Sequence, residues 1–235
     1  MVDEKDITGA TIAGRYVVAR RLAMGGMGAV YVAKQEPLGR DVALKVLRPS
    51  LLGDPVAVER FKSEAKIVAQ LGHPHIISIY EFGTSDDGML FIAMELVHGG
   101  SLGNLLRDRG ALPWQRALPI ACSIARALGA AHAQGVVHRD LKPDNILLVE
   151  AHGLSDFVKV VDFGIAKLVR SEEHAPNLTG TGFVPGTPGY IAPEQIMGGG
   201  HGDDPRSDLY ALGVTWYEMM TGRRPFDGDS TMKGF

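Results

Sequence analysis

His138-Arg139-Asp140-Leu141-Lys142-Pro143-Asp144-Asn145 is the stretch on which the reading of this chain turns. It sets a carboxylate, a lysine and a carboxamide close together. Asp140 can accept a proton from an incoming hydroxyl, Lys142 can neutralise a phosphate in flight, and Asn145 can turn its carbonyl oxygen to a hard cation. Seventeen residues beyond Asn145 comes Asp162-Phe163-Gly164. Between them, 146–149 and 158–161 are rich in branched apolar residues and read as a short hairpin. That geometry brings Asp162 and Asn145 to one metal site. Scattered surface charge is the competing reading, and the agreement of residue type, order and spacing stands against it.

Upstream, Val42-Ala43-Leu44-Lys45 places a lysine at the end of an apolar strand. Glu64 follows in a segment that opens with Asp54-Pro55, a helix cap and a first-turn proline. Phe61, Ala65, Val68 and Leu71 recur there at three- and four-residue spacing, which predicts an amphipathic helix. Lys45 and Glu64 together suggest an ion pair that holds a lysine over phosphates, although a solvated edge lysine reads equally well in isolation. Earlier still, Leu22-Ala23-Met24-Gly25-Gly26-Met27-Gly28-Ala29-Val30-Tyr31 is glycine-rich between two strands. Glycines let backbone amides approach phosphate oxygens, and a plain hairpin turn is the alternative. A dinucleotide fold needs a helix after the glycines, whereas 29–32 reads as a strand.

Further strands are expected at 15–22, 29–34, 41–46, 76–80 and 90–95. Downstream, Pro113 opens a long helix with Ala117, Ile120, Ala121, Ile124 and Leu128 on one face, and 207–221 is a second apolar helix. About thirty residues with no regular pattern follow Asp162. Loops of that length are usually functional or disordered. Hydrophobic residues make up 45% of the 235-residue chain and charged residues 22%, as in ordinary globular proteins. A net charge of −3 gives no basic footprint for nucleic acid. No apolar run is long enough to span a bilayer. Cys122, the only cysteine, fits a reducing compartment and is expected to be a buried, inert thiol. His73 and His75 lack a second ligand pair at zinc spacing.

At these motifs the chain resembles the protein kinase catalytic domain, and within it the bacterial eukaryotic-like serine/threonine kinases. The Gly25-Gly26-Met27-Gly28 and Pro193-Glu194-Gln195 runs resemble that branch most. The resemblance implies an α+β, two-lobed fold over 14–235. Residues 14–97 would form a small antiparallel β-sheet lobe plus one helix, binding ATP. Residues 98–235 would form a larger, mainly helical lobe carrying the catalytic and activation loops. Leu22, Gly25, Gly28 and Val30 would cover the ATP, with Ala43 on the adenine and Lys45 on the α- and β-phosphates. Glu64 would orient Lys45. Met94 resembles the gatekeeper, Glu95 to Val97 the hinge, and Leu147 the floor under the adenine. Asp140 would be the catalytic base, with Lys142 on the γ-phosphate and Asn145 and Asp162 on magnesium, manganese being an alternative metal. Lys142 and Thr187 fit serine/threonine specificity. Asp208 resembles the residue that anchors the catalytic loop's backbone. Thr179 and Thr181 resemble autophosphorylation sites whose phosphates would pair with Arg139.

The implied activity is transfer of the γ-phosphoryl group of ATP to protein serine or threonine hydroxyls in signal transduction. The implied setting is cytoplasmic, with protein substrates and a homodimer through the N-terminal lobe as partners. Ala23 stands where the family usually has its first glycine, and the chain ends at Phe235, before the family's last helices. A truncated or impaired nucleotide-binding scaffold is therefore the alternative to an active enzyme. A small-molecule kinase is disfavoured by Ala192-Pro193-Glu194 and the long loop before it.

Overall fold

Glycine turns between β-branched runs produce the first sheet. The computed structural model describes residues 6–25, 28–47, 66–151, 153–163, 188–196 and 204–226. These fall into two compact units, one formed by residues up to 70 together with 78–97, the other by 71–77 and residues from 98 onward.

In the first unit, β1 (Thr11–Ile12), β2 (Tyr16–Gly25), β3 (Gly28–Gln35), β4 (Arg40–Leu47), β5 (Ile79–Thr84) and β6 (Leu90–Glu95) form one antiparallel sheet in the order β1-β2-β3-β4-β6-β5. Strand residues alternate between faces. On one face Tyr31, Ala33, Val42, Leu44, Val46, Phe91 and Ala93 pack with Ile12, Tyr16 and Val18 into the core. Tyr16 and Phe91 meet with ring centroids 5.5 Å apart. The Tyr16 hydroxyl donates to Glu81 at 2.5 Å. Burial, followed by that carboxylate, pushes the phenol up to about 12.

The opposite face is set by register. Val30 lies opposite Lys45 and Val32 opposite Ala43. Ala43 lies opposite Met94 and Lys45 opposite Ile92. These six residues therefore share one side of the sheet. The β2–β3 hairpin closes on the pair Gly25 and Gly28. Gly28 has φ +144°, and a Cβ there would stand 2.0 Å from the Val46 carbonyl oxygen. Only glycine lets β3 start so close to the end of β4.

Two expectations on this side need correction or fall outside the described residues. The strand expected at 76–80 begins instead at Ile79 and runs to Thr84. Ile76 bridges to Val160 in parallel, with Val160 N–H donating to the His75 carbonyl at 2.8 Å and Ile77 N–H to the Val160 carbonyl at 3.0 Å. Backbone pairing with a distant strand, rather than the apolar run alone, decides where this segment belongs. Of the helix expected from Asp54 to about Leu71, residues 66–69 are helical, Gln70 and Leu71 are not, and residues 54–65, Glu64 included, lie outside the described residues.

In the second unit, β7 (Gly99–Ser101), β8 (Ile146–Ala151) and β9 (Leu154–Val160) form a three-stranded antiparallel sheet, which contains the expected hairpin. Helix α1 (Leu102–Arg109) is capped by Ser101, whose Oγ accepts from Asn104 N–H at 3.0 Å. Helix α2 (Trp114–His132) buries Ala117, Ile120, Ile124 and Leu128, as expected from spacing, together with Ala127 and Ala131, while Ala121, expected on that face, is half-buried. It packs on β9 and on the helix Arg206–Thr221. Arg116 fastens its first turn to β9 with two bonds of 2.8 Å to Asp156. Cys122 is exposed rather than buried. It lies on α2 four residues after the exposed Leu118 and eight after the exposed Trp114, on the outward face. A short helix α3 (Pro193–Ile196) precedes the helix Arg206–Thr221, here α4. Among the described residues no helix is long and apolar enough to cross a membrane.

Candidate active site

The loop between α2 and β8 is fixed from beneath by one carboxylate. Asp208, in the first turn of α4, is 1% exposed. Its Oδ2 accepts from His138 N–H at 2.8 Å and from the His132 ring Nε2 at 2.8 Å, and its Oδ1 accepts from Arg139 N–H at 2.9 Å. A buried carboxylate needs such donors, and here two of them are the backbone of the loop itself. Arg139 follows with φ +63°, a left-handed turn that a non-glycine residue adopts at a cost.

His138 supplies the second hold. Its side chain is fully buried, its ring Nε2 lies 3.0 Å from the Val161 carbonyl, and the ring lies 4.6 Å from that of Phe163. Asp140 N–H donates to Nδ1 at 3.3 Å. The two contacts agree on one neutral tautomer, with the proton on Nε2. Burial holds the imidazole below its ordinary value of 6.5, against the pull of Asp208. The unfolded chain therefore takes up a proton that the folded chain refuses. Stability is expected to be fully present above pH 6.5 and to fall as pH drops below it, by at most about 1.4 kcal/mol per pH unit from this group. Urea unfolding at pH 7.5 and 5.5 measures this. His138→Phe should show a smaller difference between the two, and an unchanged difference would reject the assignment.

Above these anchors the expected catalytic groups converge. Lys142 Nζ donates to Asp140 Oδ2 at 3.0 Å. Asn145 Nδ2 donates to the Asp140 carbonyl at 2.8 Å and to Asp140 Oδ2 at 3.2 Å. Asn145 sits in the 3-10 turn Pro143–Asn145, directly before β8. Its own carbonyl accepts from Val161 N–H at 3.0 Å, one step past the pair Ile146 and Val160. The hairpin register thus delivers Asp162 beside Asn145. Asp162 has φ +57°, a second left-handed non-glycine position.

Asn145 uses its amide nitrogen on Asp140, which leaves its oxygen as the atom a cation would meet. With the carboxylate of Asp162 this gives hard oxygen donors, the chemistry magnesium prefers. The residues fit a divalent cation held through phosphates.

Beside Asp140 a pocket is lined by Arg139, Lys142, Tyr190, Gln195 and Ser207, among others. Tyr190, in the 3-10 turn Pro188–Tyr190, donates its hydroxyl to Glu218 of α4. Burial, then that carboxylate, pushes the phenol far above its ordinary range. Tyr190 therefore stays a neutral donor and holds this wall against α4.

The other expected residues, Leu147 apart, are in the first unit or outside the described residues. Val30, Ala43, Lys45 and Met94 share one sheet face, as set out above. Leu22 is exposed at an irregularity in the β2–β3 register. Glu95 ends β6, its N–H donating to the Ser78 carbonyl at 2.9 Å, and Val97 follows two residues on. Leu147, in the second unit, lies on β8 opposite Ser101. Glu64, Thr179, Thr181 and Thr187 lie outside the described residues. Sequence spacing missed His132. It is one of eight histidines, and only its contact with Asp208 distinguishes it.

The model of the protein kinase domain family matches residues 16–234. The chain belongs to the protein kinase family. Serine/threonine-protein kinase pkn3 of Myxococcus xanthus is 47% identical over 230 residues, covering 98% of this chain and 42% of that protein. Serine/threonine-protein kinase PknA of Mycobacterium tuberculosis is 45% identical over 228 residues, covering 95% of this chain and 51% of that protein. The chain thus spans about half the length of these curated relatives. The crystal structure of the Mycobacterium tuberculosis PknI kinase domain superposes with a TM-score of 0.74 at 33% identity, covering 95% of this chain and 80% of that one. The fold is therefore the protein kinase fold, and the expected resemblance to bacterial eukaryotic-like serine/threonine kinases holds.

Proposed function

We propose that this kinase domain transfers the γ-phosphoryl group of ATP, with magnesium, to serine or threonine hydroxyls of proteins. The observation that carries the reading is the convergence of Lys142 and Asn145 on Asp140, above a loop whose backbone is held by Asp208. Residues 14–97 form its nucleotide-binding lobe and 98–235 its catalytic lobe. Leu22, Gly25, Gly28, Val30, Ala43, Met94, Glu95, Val97 and Leu147 surround the nucleotide, and Lys45, oriented by Glu64, meets its phosphates.

In the transfer, Asp140 receives the proton of the attacking hydroxyl. Lys142, 3.0 Å from Asp140, neutralises charge on the transferring group, a role that this contact supports. Asn145 and Asp162 would hold magnesium, which neutralises the phosphates and aligns them for in-line displacement when bound. Asp208 keeps the backbone of 138–139 from relaxing, and His138, kept neutral, ties the loop to the strand that leads into Asp162. Substrates are proteins, docked in part through Thr187. The setting is cytoplasmic, and two copies pair through the N-terminal lobe.

Activation follows phosphorylation of the loop after Asp162. A phosphothreonine adds about −1.5 to −2 charges and pairs with arginine. Thr179 and Thr181 lie eight and six residues before Thr187, and Arg139 is the cation beside the base. After incubation with magnesium and ATP, peptide mass spectrometry is expected to find phosphate on Thr179 or Thr181, and none in an Asp140→Asn control. Phosphate confined to other residues would reject this mode of activation.

A further inference from the structure

Helix α1 and the turn that carries Asn145 meet where a side chain on the helix would press on Asp144. A Cβ on Gly103 would stand 2.4 Å from Asp144 Oδ1, 3.0 Å from its Cγ and 3.2 Å from its backbone nitrogen. Gly103 is buried in the first turn of α1. Glycine there costs a helix about 0.5–1 kcal/mol relative to alanine. The close approach to Asp144 is the structural feature that the missing side chain permits.

The same oxygen is also held from the same face of the helix. Arg107, one turn further along α1, donates Nη2–H to Asp144 Oδ1 at 2.9 Å and to Asn104 Oδ1 at 2.5 Å. Both partners of the ion pair are about half exposed, 62% for Arg107 and 48% for Asp144. Exposed pairs contribute little stability, about 0–1 kcal/mol. The contact matters through geometry. Asp144 is the middle residue of the turn Pro143–Asn145, and the next side chain, Asn145, donates to Asp140. The Asp144 backbone nitrogen, 3.2 Å from a Cβ at Gly103, belongs to that turn, so the contact bears on the turn as well as on the carboxylate.

We propose that Gly103 and Arg107 are positioning residues for phosphoryl transfer. They wedge Asp144 in place, and through the turn Pro143–Asn145 they set where Asn145 turns its oxygen to the divalent cation. This rests on the kinase reading and adds a helix outside the catalytic loop to the parts that define its metal site. Residues that orient a metal ligand from behind typically change metal affinity by about 10–100-fold when altered.

The test is the magnesium dependence of nucleotide affinity, read by displacement of a fluorescent ATP analogue from the chain, alongside turnover. Gly103→Ala is expected to raise the magnesium concentration needed for half of the affinity gain by about tenfold. Nucleotide affinity without magnesium and the thermal midpoint should stay at the parent's values, since alanine favours the helix. In an Asp144→Ala background, Gly103→Ala should have a much smaller effect, because the two closest contacts, with the Asp144 carboxylate, are gone and only the 3.2 Å approach to its backbone nitrogen remains. Arg107→Met should shift the magnesium dependence in the same direction as Gly103→Ala, and Arg107→Lys less. An unshifted magnesium dependence in Gly103→Ala, or an equal shift with and without Asp144, overturns the inference while leaving the kinase reading intact. A folded parent with neither magnesium-dependent nucleotide binding nor phosphoryl transfer removes the kinase reading, and the inference with it.

Discussion

Asp208→Ala is expected to lower the unfolding free energy by about 3–5 kcal/mol and to abolish measurable transfer, because it strips the acceptor from three donors at once. His138 N–H, Arg139 N–H and the His132 ring all end on this carboxylate. A buried donor left unsatisfied costs about 1–3 kcal/mol. Typical domains have only about 5–15 kcal/mol in total, so the variant should be close to unfolding at 25 °C. Asp208→Asn separates the two consequences. Its single oxygen can take the place of Oδ2 and keep His138 and His132, but its amide then faces the Arg139 N–H, donor to donor. The stability loss should be smaller, about 1–3 kcal/mol, while the loop backbone still shifts and turnover falls steeply. Urea unfolding beside a transfer assay measures both. Full activity in Asp208→Asn would show that the backbone of 138–139 needs no second acceptor.

Asp140→Asn is expected to cut turnover by about 10²–10⁴-fold, which is roughly 3–5 kcal/mol of barrier, with nucleotide affinity close to the parent's. The asparagine has the same shape. Its oxygen can still accept from Lys142 and Asn145, which both point at Oδ2. What disappears is the basicity toward an incoming hydroxyl. Steady-state turnover and the dissociation constant for ATP should therefore part company in this variant. A parallel loss of ATP affinity would mean that Asp140 serves binding rather than proton transfer.

The parts of the molecule that were legible in the sequence are those whose chemistry and local periodicity agree. The strands around Val30, Lys45 and Met94 carry branched residues between glycine turns, and the register puts those three side chains on one face. Asp140, Asn145 and Asp162 could be joined on paper because the hairpin between them has a length that brings its ends together, and Val161 N–H does bond the Asn145 carbonyl.

What the sequence hid depends on distant partners. Strand β7 is Gly99-Gly100-Ser101, with no propensity for a strand. It pairs with β8 because Gly99 has no Cβ to meet the Leu148 carbonyl, which would be 2.3 Å away. Helix α1 begins Leu102-Gly103-Asn104, two of them weak helix formers, and its glycine makes sense only beside Asp144. Ile76 and Ile77 look like the start of β5 by composition, yet their backbone partners lie at Val160. Cys122 follows an apolar run but faces outward, because the buried face of α2 runs through Ile120 and Ile124.

The central claim is that the groups gathered on Asp140 perform phosphoryl transfer to serine and threonine. Incubating the chain with γ-labelled ATP and magnesium, then hydrolysing the protein and separating its phosphoamino acids, tests it most directly. The account predicts label on phosphoserine or phosphothreonine that is lost in Asp140→Asn. A folded chain that binds magnesium and ATP yet incorporates no label, or one that labels only tyrosine, would contradict it.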